Sequence, residues 1–250
     1  MTLGDGSLPA TEPMTGEKPA MSFGAKLWNL FVNPRKTFAS VGRTNEWIVL
    51  WVLVSLIAIG TYLPIKSIVQ HDQIQKIEER LSENPQITPE QRQEIMDRVE
   101  GQFDNPLFLL LVPVSHLVML FIVAGVLLFF GNIILGGSVG FRQMLNAYAW
   151  TMMIALPAGI VSVPMVLAKG SLDVSLGLGV LTTPETGAFI KSLLSSVEIF
   201  AVWQVWLSAV AVSVLAPAET KKAFWTVAAA WIVWIIVKAG LSTLGIEFGA

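Results

Sequence analysis

Residues 106–135 read PLFLLLVPVSHLVMLFIVAGVLLFFGNIIL, a stretch with no aspartate, glutamate, lysine or arginine. A helix needs about 20 mostly apolar residues to cross about 30 Å of hydrocarbon, so this stretch is long enough to span a bilayer with tilt or bending. Further apolar runs lie at about 47–69, 146–168, 192–215 and 223–246. The pattern predicts an all-α, polytopic membrane helical bundle with five transmembrane helices, covering residues 46–250. Pro157 and Pro164 predict a kink in the third helix.

The composition of the whole chain also indicates a membrane protein. Hydrophobic residues make up 54% of the chain without its 20 glycines, and charged residues make up 14%. Soluble proteins have roughly 45–50% apolar residues with glycine included, and about 25% charged residues. The absence of cysteine excludes disulfides, thiolate metal ligands and cysteine nucleophiles. The net charge of -2 and the lack of a long basic run argue against nucleic-acid binding.

Two segments precede the first apolar run. Residues 1–20 are rich in glycine, proline, threonine and serine, which predicts a disordered tail. Residues 21–45 are predicted to be an amphipathic membrane-surface segment, with Lys26 and Asn29 opposite an apolar face. That face is formed by Phe23, Leu27, Leu30 and Phe31. Two alternatives stay open: the segment lies in the membrane interface, or it packs on the end of the bundle.

Residues 70–104 form the one sizeable polar segment and are predicted to be an extramembrane helical hairpin. They contain nine acids and four bases, a net charge of -5. The Asn84-Pro85 pair predicts the turn between the arms. Thr88-Pro89-Glu90-Gln91 has the pattern of a capping box at the start of the second arm. With only about 35 residues, the hairpin is expected to lean on the bundle or on a partner.

The orientation rests on the basic residues that flank the spans. Each side of the predicted topology carries seven bases, so the positive-inside count is a tie. The flank of the first span carries only bases and no acid within residues 21–43, and this flank often dominates. We therefore expect a cytoplasmic N-terminus, with the acidic hairpin outside.

Three ionisable side chains fall inside predicted spans: His116 in the second, Glu198 in the fourth and Lys238 in the fifth. Such groups cost about 2.5–3.5 kcal/mol at the bilayer centre and are functional candidates. Counted along their helices they lie at comparable depths, so they are a possible intramembrane polar cluster. One alternative is a proton- or ion-linked site. The other is a structural Glu–Lys pair, or snorkelling of each group to the outer interface.

The tryptophans and glycines have simpler interpretations. Trp28, Trp47, Trp150 and Trp225 are possible interface anchors, of the kind found in aromatic belts. The Gly136-Gly137-Ser138-Val139-Gly140 segment lacks the Gly-Lys-Ser/Thr ending of a phosphate loop and is predicted to be a flexible turn. No nucleophile–base, metal-ligand or cofactor motif is present. We therefore predict no catalytic, cofactor-binding or metal-binding residues and no enzymatic activity.

Three short motifs occur in a fixed order along about residues 26–243. They are Asn33-Pro34 with Phe38; Gly136-Gly137 with Phe141-Arg142-Gln143, Tyr148 and Pro157; and Trp206-Leu207 with Lys222-Ala223. In these motifs and in its five predicted spans the chain resembles the YIP family (Ypt/Rab-interacting-protein domain), in its prokaryotic form. The charged hairpin at 70–104 is an addition to the minimal family pattern.

The resemblance implies a multispan protein of the bacterial inner membrane that organises membranes or partner proteins. Eukaryotic members of the family bind prenylated Rab GTPases, but the cytosolic Asp-Leu-Tyr-Gly-Pro motif is absent here, so that partner is not transferred. The expected partners are the lipid bilayer and an unidentified membrane or peripheral protein, and a homo-oligomer is possible. A scaffold or adaptor is the first hypothesis. A small transporter or channel that uses His116, Glu198 and Lys238 is the alternative.

Overall fold

A computed structural model describes residues 21–41, 45–84, 86–183 and 185–244. The predicted disordered tail, residues 1–20, lies outside the described residues. Within the described ranges the structure is all-α and has no strand, which confirms the predicted fold class. The helices are α1 (Phe23–Val32), α2 (Pro34–Val41), α3 (Trp47–Glu83), α4 (Pro89–Asp104), α5 (Leu111–Phe129), α6 (Phe141–Thr151), α7 (Ala155–Lys169), α8 (Ala188–Ser195), α9 (Ile199–Leu215) and α10 (Thr220–Ser242).

Four segments are long and apolar enough to cross a bilayer. They are Trp47–Ser82, Leu111–Ile134, Phe141–Lys169 and Thr220–Ser242. The fourth predicted span, 192–215, differs, because the helix is broken between Ser195 and Ile199. The remaining helix, α9, has 17 residues, or about 26 Å at 1.5 Å per residue, which is less than the hydrocarbon thickness. Among the described residues there are thus four segments that are long and apolar enough to span a bilayer, and one shorter apolar helix.

The third spanning segment, for which a kink was predicted, changes geometry just before Pro157, whereas Pro164 lies inside α7 without ending it. A short 3-10 turn, Met152–Ile154, separates α6 from α7. Pro157 follows within the first turn of α7 and has no backbone N–H to donate to Met153, whose carbonyl its ring crowds. The local change from α to 3-10 geometry relieves that conflict and accounts for the irregularity.

The first span and the hairpin are one continuous helix. The hairpin was predicted to begin at residue 70, but α3 runs through this position without interruption for 37 residues. Pro64 lies inside α3 without ending it. The second arm is α4, which packs against α3. The hairpin is therefore rigidly joined to a membrane helix.

The cap that starts the second arm forms as predicted, whereas Pro85 of the predicted Asn84-Pro85 turn lies outside the described residues. The Gln86 amide donates to Oδ1 of Asn84 at 3.0 Å. Reciprocal hydrogen bonds then start α4: Thr88 N–H donates to Gln91 Oε1 at 3.0 Å, and Gln91 N–H donates to Thr88 Oγ1 at 3.3 Å. These two bonds confirm the capping box.

The packed core lies at the end of the bundle where α1 and α2 sit. Its fully buried side chains come mainly from α6, with others from the first turns of α3 and α10, from α5 and from the latter part of α9. They include Leu50, Leu120, Trp150, Leu207 and Ala223, with Leu30 and Phe38 from α1 and α2. Many outward apolar residues are exposed, such as Val233 at 61%. An exposed apolar surface of this kind is what a lipid-facing bundle presents.

Glycine permits close backbone approach at two places in the core. A Cβ on Gly159 of α7 would lie 2.4 Å from Cγ2 of Thr61 in α3, which explains how these two helices pack so closely. A Cβ on Gly137 would lie 2.6 Å from Cβ of Ala216 and 2.9 Å from the Gly131 carbonyl oxygen. Gly137 N–H also donates to that oxygen at 3.0 Å.

The Gly136–Gly140 segment, predicted to be a flexible turn, makes two hydrogen bonds with a side chain at the end of the preceding helix. Asn132 donates from Nδ2 to the Val139 carbonyl at 2.9 Å and accepts the Val139 amide on Oδ1 at 2.8 Å. The Asn132 side chain therefore satisfies both the backbone N–H and the backbone carbonyl of Val139. Gly136 adopts a φ of 73°, a left-handed conformation that favours glycine.

Candidate functional site

Glu198 and Lys238 lie near each other, at a break in the bundle rather than in the middle of two intact spans. Glu198 is the residue before α9 and has extended backbone, and its side chain is exposed. Lys238, in the last third of α10, is half-buried and acts electrostatically on the Glu198 carboxylate. Among the described residues no direct ion pair joins the two.

The depths of the two groups agree with each other. Glu198 lies 17 positions from Leu215 at the other end of α9, and Lys238 lies 18 positions from Thr220 at the start of α10. At 1.5 Å per residue these separations are roughly 26 and 27 Å. Each group therefore lies near the same end of its helix pair, and both are expected near one edge of the hydrocarbon layer. This position favours a weakly coupled pair that snorkels toward the interface.

His116 is engaged elsewhere. Its Nδ1 lies 2.7 Å from the Val112 carbonyl oxygen, one turn earlier in α5. A carbonyl can only accept, so Nδ1 carries the proton and donates. No hydrogen bond or ion pair joins His116 to Glu198 or Lys238 within the described residues. The cluster of three thus remains a prediction, with two members near each other and the third bonded to its own helix.

A loop that was not predicted from the sequence pairs with the break before α9. Leu178 N–H donates to the Val197 carbonyl at 2.9 Å, and Ile199 N–H donates to the Leu176 carbonyl at 3.3 Å. Between them Gly177 approaches so closely that a Cβ would overlap the Val197 carbonyl oxygen. The loop therefore satisfies backbone groups that the interrupted helix leaves free.

The four predicted anchors divide into two kinds. Trp28 and Trp225 are 70% and 62% exposed and can reach the membrane interface. Trp47 is half-buried and packs edge-on against Phe121, with ring centroids 5.7 Å apart. Trp150 is fully buried, so the sequence interpretation of it as an interfacial residue needs correction. Its indole has a polar partner inside the protein, described next.

A buried polar network, which we call the Glu46 network, joins Lys26, Glu46, Asn146 and Trp150. The Lys26 ammonium lies 2.5 Å from Oε1 of Glu46. The Trp150 indole N–H donates to Oε2 of the same carboxylate at 3.0 Å. The Glu46 backbone amide donates to Asn146 Oδ1 at 2.9 Å. Glu46 immediately precedes α3, so one residue links α1, α3 and α6.

Asn146 extends the network to the end of α2. It is fully buried, and its Nδ2 donates to the Val41 carbonyl at 2.6 Å. Asn146 and Trp150 are four residues apart on α6 and therefore share one face. Thr37 of α2 adds a further link, because its hydroxyl donates to the Lys26 carbonyl at 2.8 Å. Every polar group named here has a partner, which makes the network stabilising rather than costly.

Aromatic packing completes the attachment of α1. Phe23 packs on Trp150 with ring centroids 5.0 Å apart, and Phe31 packs edge-on against Trp203 of α9 at 5.7 Å. Leu30 is fully buried, whereas Val32 is 63% exposed. Two alternatives were open for residues 21–45: packing on the end of the bundle, or lying in the membrane interface. One face of α1 packs on the bundle, and its opposite face remains exposed and available to the membrane interface. We call α1 and α2 together the N-terminal platform.

Sequence reasoning missed the Glu46 network because it placed Lys26 on the polar side of α1. The structure places Lys26 in the core at 2% exposure, which corrects that assignment. One signal was available: Glu46 is an acid directly before the first span, and an isolated acid there needs a cationic partner. The i, i+4 pairing of Asn146 and Trp150 was a second signal. Neither identifies Lys26, which is 20 residues away.

The chemistry of the network is structural. Its carboxylate is shared between an ammonium and an indole, and its members lie in the packed end of the bundle. This arrangement fixes three helices relative to each other. It presents no free nucleophile or base to a substrate.

Comparisons with known proteins give the family. A search of curated proteins and a search of solved structures returned no match. A family profile described as the Yip1 domain matches residues 28–241, close to the span over which the motifs indicated the resemblance. The match begins within α1 and runs through α2 and α9 to the end of α10, one residue short of Ser242. The chain belongs to the Yip1 domain family and is a multi-pass membrane protein.

Proposed function

We propose that this protein is a non-enzymatic membrane scaffold or adaptor that holds a partner protein at its acidic hairpin. The observation that carries the proposal is the continuity of α3, which passes from the bundle into the hairpin over 37 residues. A crossing uses about 20 residues, so roughly the last 17, or about 25 Å, extend beyond the hydrocarbon. A rigid charged extension of a membrane helix suits partner binding. We call the whole hairpin, residues 70–104, the arm.

The charge of the arm specifies the chemistry of the partner. Residues 70–104 carry a net charge of -5. The exposed carboxylates of Glu79 and Glu100 have no ion-pair partner among the described residues. A surface of one sign steers a partner of the opposite sign and raises its association rate. The arm is therefore proposed to bind a basic protein surface, and Yip1 family proteins are known to interact with other proteins.

The bundle supports this role by holding its parts rigidly. The Glu46 network fixes the N-terminal platform to α3, which also carries the arm. We propose a cytoplasmic N-terminus in a bacterial inner membrane, so that the platform and the arm lie on opposite sides. In this arrangement α8 and α9 together form a fifth, interrupted crossing, which accounts for their packing along α10.

The test is quantitative co-purification of the full-length protein from cross-linked membranes. The arm variant carries Glu79→Gln and Glu100→Gln. The control variant carries Asp173→Asn and Glu185→Gln, which remove the same charge from exposed residues of the α7–α8 connection. A partner that the wild type and control recover, and that the arm variant loses, supports the scaffold. Equal recovery by both variants contradicts binding at the arm.

A transporter is the second candidate, and the break at Glu198 favours it. Interrupted helices beside charged groups form the substrate sites of many transporters. Here the break, its paired loop and Lys238 occur together. Glu198→Gln and Lys238→Met, tested separately, decide the matter. Loss of a cell phenotype in both variants at normal protein levels supports transport, whereas normal phenotypes end this alternative.

A further inference from the structure

A cleft opens between α2 and the connection from α9 to α10. Its volume is about 560 Å³, and its lining consists of Arg35, Lys36, Ala39, Ser213, Val214, Pro217 and Ala218. The lining contains two bases and no acid. Because α9 ends at Leu215 and α10 begins at Thr220, the cleft lies where the helices leave the hydrocarbon. That is the depth of the phospholipid headgroups.

Two helix N-termini meet at this cleft. Arg35 is in the first turn of α2, Thr220 is the first residue of α10, and the Arg35 guanidinium donates from Nη1 to Thr220 Oγ1 at 2.6 Å. The positive ends of both helix dipoles therefore point to the same region. Lys221 and Lys222 follow directly and are exposed. Glu219, also exposed, is the one acid in this stretch of the chain.

The basic groups are available to a ligand. The Arg35 guanidinium has five donor hydrogens, and its bond to Thr220 orients the group while leaving other donors open. Lys36 is exposed, and its ammonium makes no hydrogen bond or ion pair with any residue that the structure describes. An oriented guanidinium beside an unpaired ammonium is an arrangement that suits phosphate oxygens.

We propose that this cleft binds the phosphodiester headgroup of an anionic phospholipid. Arg35 and Lys36 contact the phosphate, and the apolar wall formed by Ala39, Val214 and Pro217 lies along the glycerol and the first acyl carbons. The apolar wall and the depth of the cleft favour a lipid over a free anion. Trp225, 62% exposed in the second turn of α10, lies at the level typical of interfacial tryptophan. Basic pockets between membrane helices bind anionic headgroups in this way.

The experiment is native mass spectrometry of the full-length protein in a mild detergent. Phosphatidylglycerol is titrated in, with phosphatidylcholine as the zwitterionic comparison and glycerol 3-phosphate as the soluble competitor. The test variant carries Arg35→Gln and Lys36→Gln. The control variant carries Arg98→Gln and Lys191→Gln, which remove the same charge far from the cleft in α4 and α8.

The wild type and the control are expected to retain phosphatidylglycerol in preference to phosphatidylcholine. The test variant is expected to bind it about 25-fold more weakly, roughly fivefold for each charge removed. Lys36→Gln alone removes only an exposed group and is expected to weaken binding about fivefold, which keeps the test valid if Arg35→Gln perturbs folding. Unchanged binding in these variants, or equal retention of phosphatidylcholine, overturns the proposal. Complete competition by glycerol 3-phosphate identifies a free-anion site and overturns the lipid assignment.

Discussion

The Lys26 ammonium lies 2.5 Å from a carboxylate oxygen of Glu46, and only 3% of the Lys26 side chain is exposed. This contact joins α1 to the residue that immediately precedes α3, although the two residues are 20 positions apart in the sequence. The second oxygen of Glu46 accepts the Trp150 indole. This carboxylate is thus the point at which the N-terminal platform, the arm-bearing helix and the core meet.

Removing the lysine should weaken this end of the bundle. Lys26→Met leaves the Glu46 carboxylate without its cation, and breaking a buried ion pair costs about 3–5 kcal/mol. We expect the lower part of this range, because the Glu46 side chain is 24% exposed. The free energy of unfolding is measured by denaturant titration in mixed micelles, followed by tryptophan fluorescence.

The double variant provides the internal check. Lys26→Met combined with Glu46→Gln removes both charges and should recover part of the loss, since an uncharged pair has no isolated carboxylate. Lys191→Met, at an exposed lysine, should change stability by no more than about 0.5 kcal/mol. If Lys26→Met is as mild as this control, the buried pair does not stabilise the platform.

A second substitution tests the fully buried amide. Asn146→Leu removes the acceptor of the Glu46 amide and one donor to the Val41 carbonyl. A buried amide left unpaired costs about 1–3 kcal/mol, so a loss of at least about 1 kcal/mol is expected in the same titration. Asn45→Ala, which removes an exposed bond to Arg142, should cost much less. Similar losses for the two variants would argue against a specific role for Asn146.

The glycine turn gives a prediction about packing. Gly137→Ala brings a Cβ to 2.9 Å from both the Ala216 Cα and the Gly131 carbonyl oxygen. Because these are backbone atoms, relief requires a backbone shift, which costs about 1–3 kcal/mol. Gly125→Ala in α5 has no atom within 4 Å of the new Cβ and should be neutral or stabilising. Thermal unfolding of the two variants in parallel compares them, and equal midpoints would contradict the close approach.

The start of α4 gives a prediction about pH. The pKa of Glu90 lies below its ordinary value of 4.5, because its own backbone amide and the Thr88 side chain donate hydrogen bonds to the carboxylate. A carboxylate with a lowered folded-state pKa stabilises the helix start above its unfolded pKa, and that contribution is lost as pH falls through the folded value. Thr88→Ala should therefore raise the pKa of Glu90. Carboxyl NMR titration measures this, with Ser82→Ala as the control, and an unchanged pKa of Glu90 in Thr88→Ala would refute it.

Composition and periodicity were sufficient for the all-α membrane bundle, because uncharged stretches longer than 20 residues have few alternatives. Local hydrogen bonding could also be predicted where it depends on residues close in sequence, as at the Thr88 capping box. The continuity of α3 was not predicted, since the change from apolar to charged residues at residue 70 marks a change of environment and not of backbone geometry. Periodicity alone could not distinguish a helix that leaves the membrane from a helix that ends.

The predictions that were wrong concern residues whose partners are distant in the sequence. Lys26 looked solvent-facing on its own helix, and only Glu46 in three dimensions explains its burial. Trp150 looked interfacial for the same reason, until Glu46 and Phe23 supplied its surroundings. The break before Ile199 is stabilised by backbone bonds to Leu176 and Leu178, which no pattern within the fourth apolar run reveals.

The most direct test of the proposed scaffold is photo-crosslinking from the arm in living membranes. A photoreactive amino acid replaces Gln75, an exposed position of α3 in the arm, and in a parallel protein replaces Ile122, which is 55% exposed on α5. We expect a discrete protein adduct from Gln75 and none of that size from Ile122. We further expect Glu79→Gln with Glu100→Gln to abolish the adduct, whereas Asp173→Asn with Glu185→Gln preserves it. No protein adduct from Gln75, or an adduct that survives the loss of the arm charges, would contradict a charged partner-binding arm.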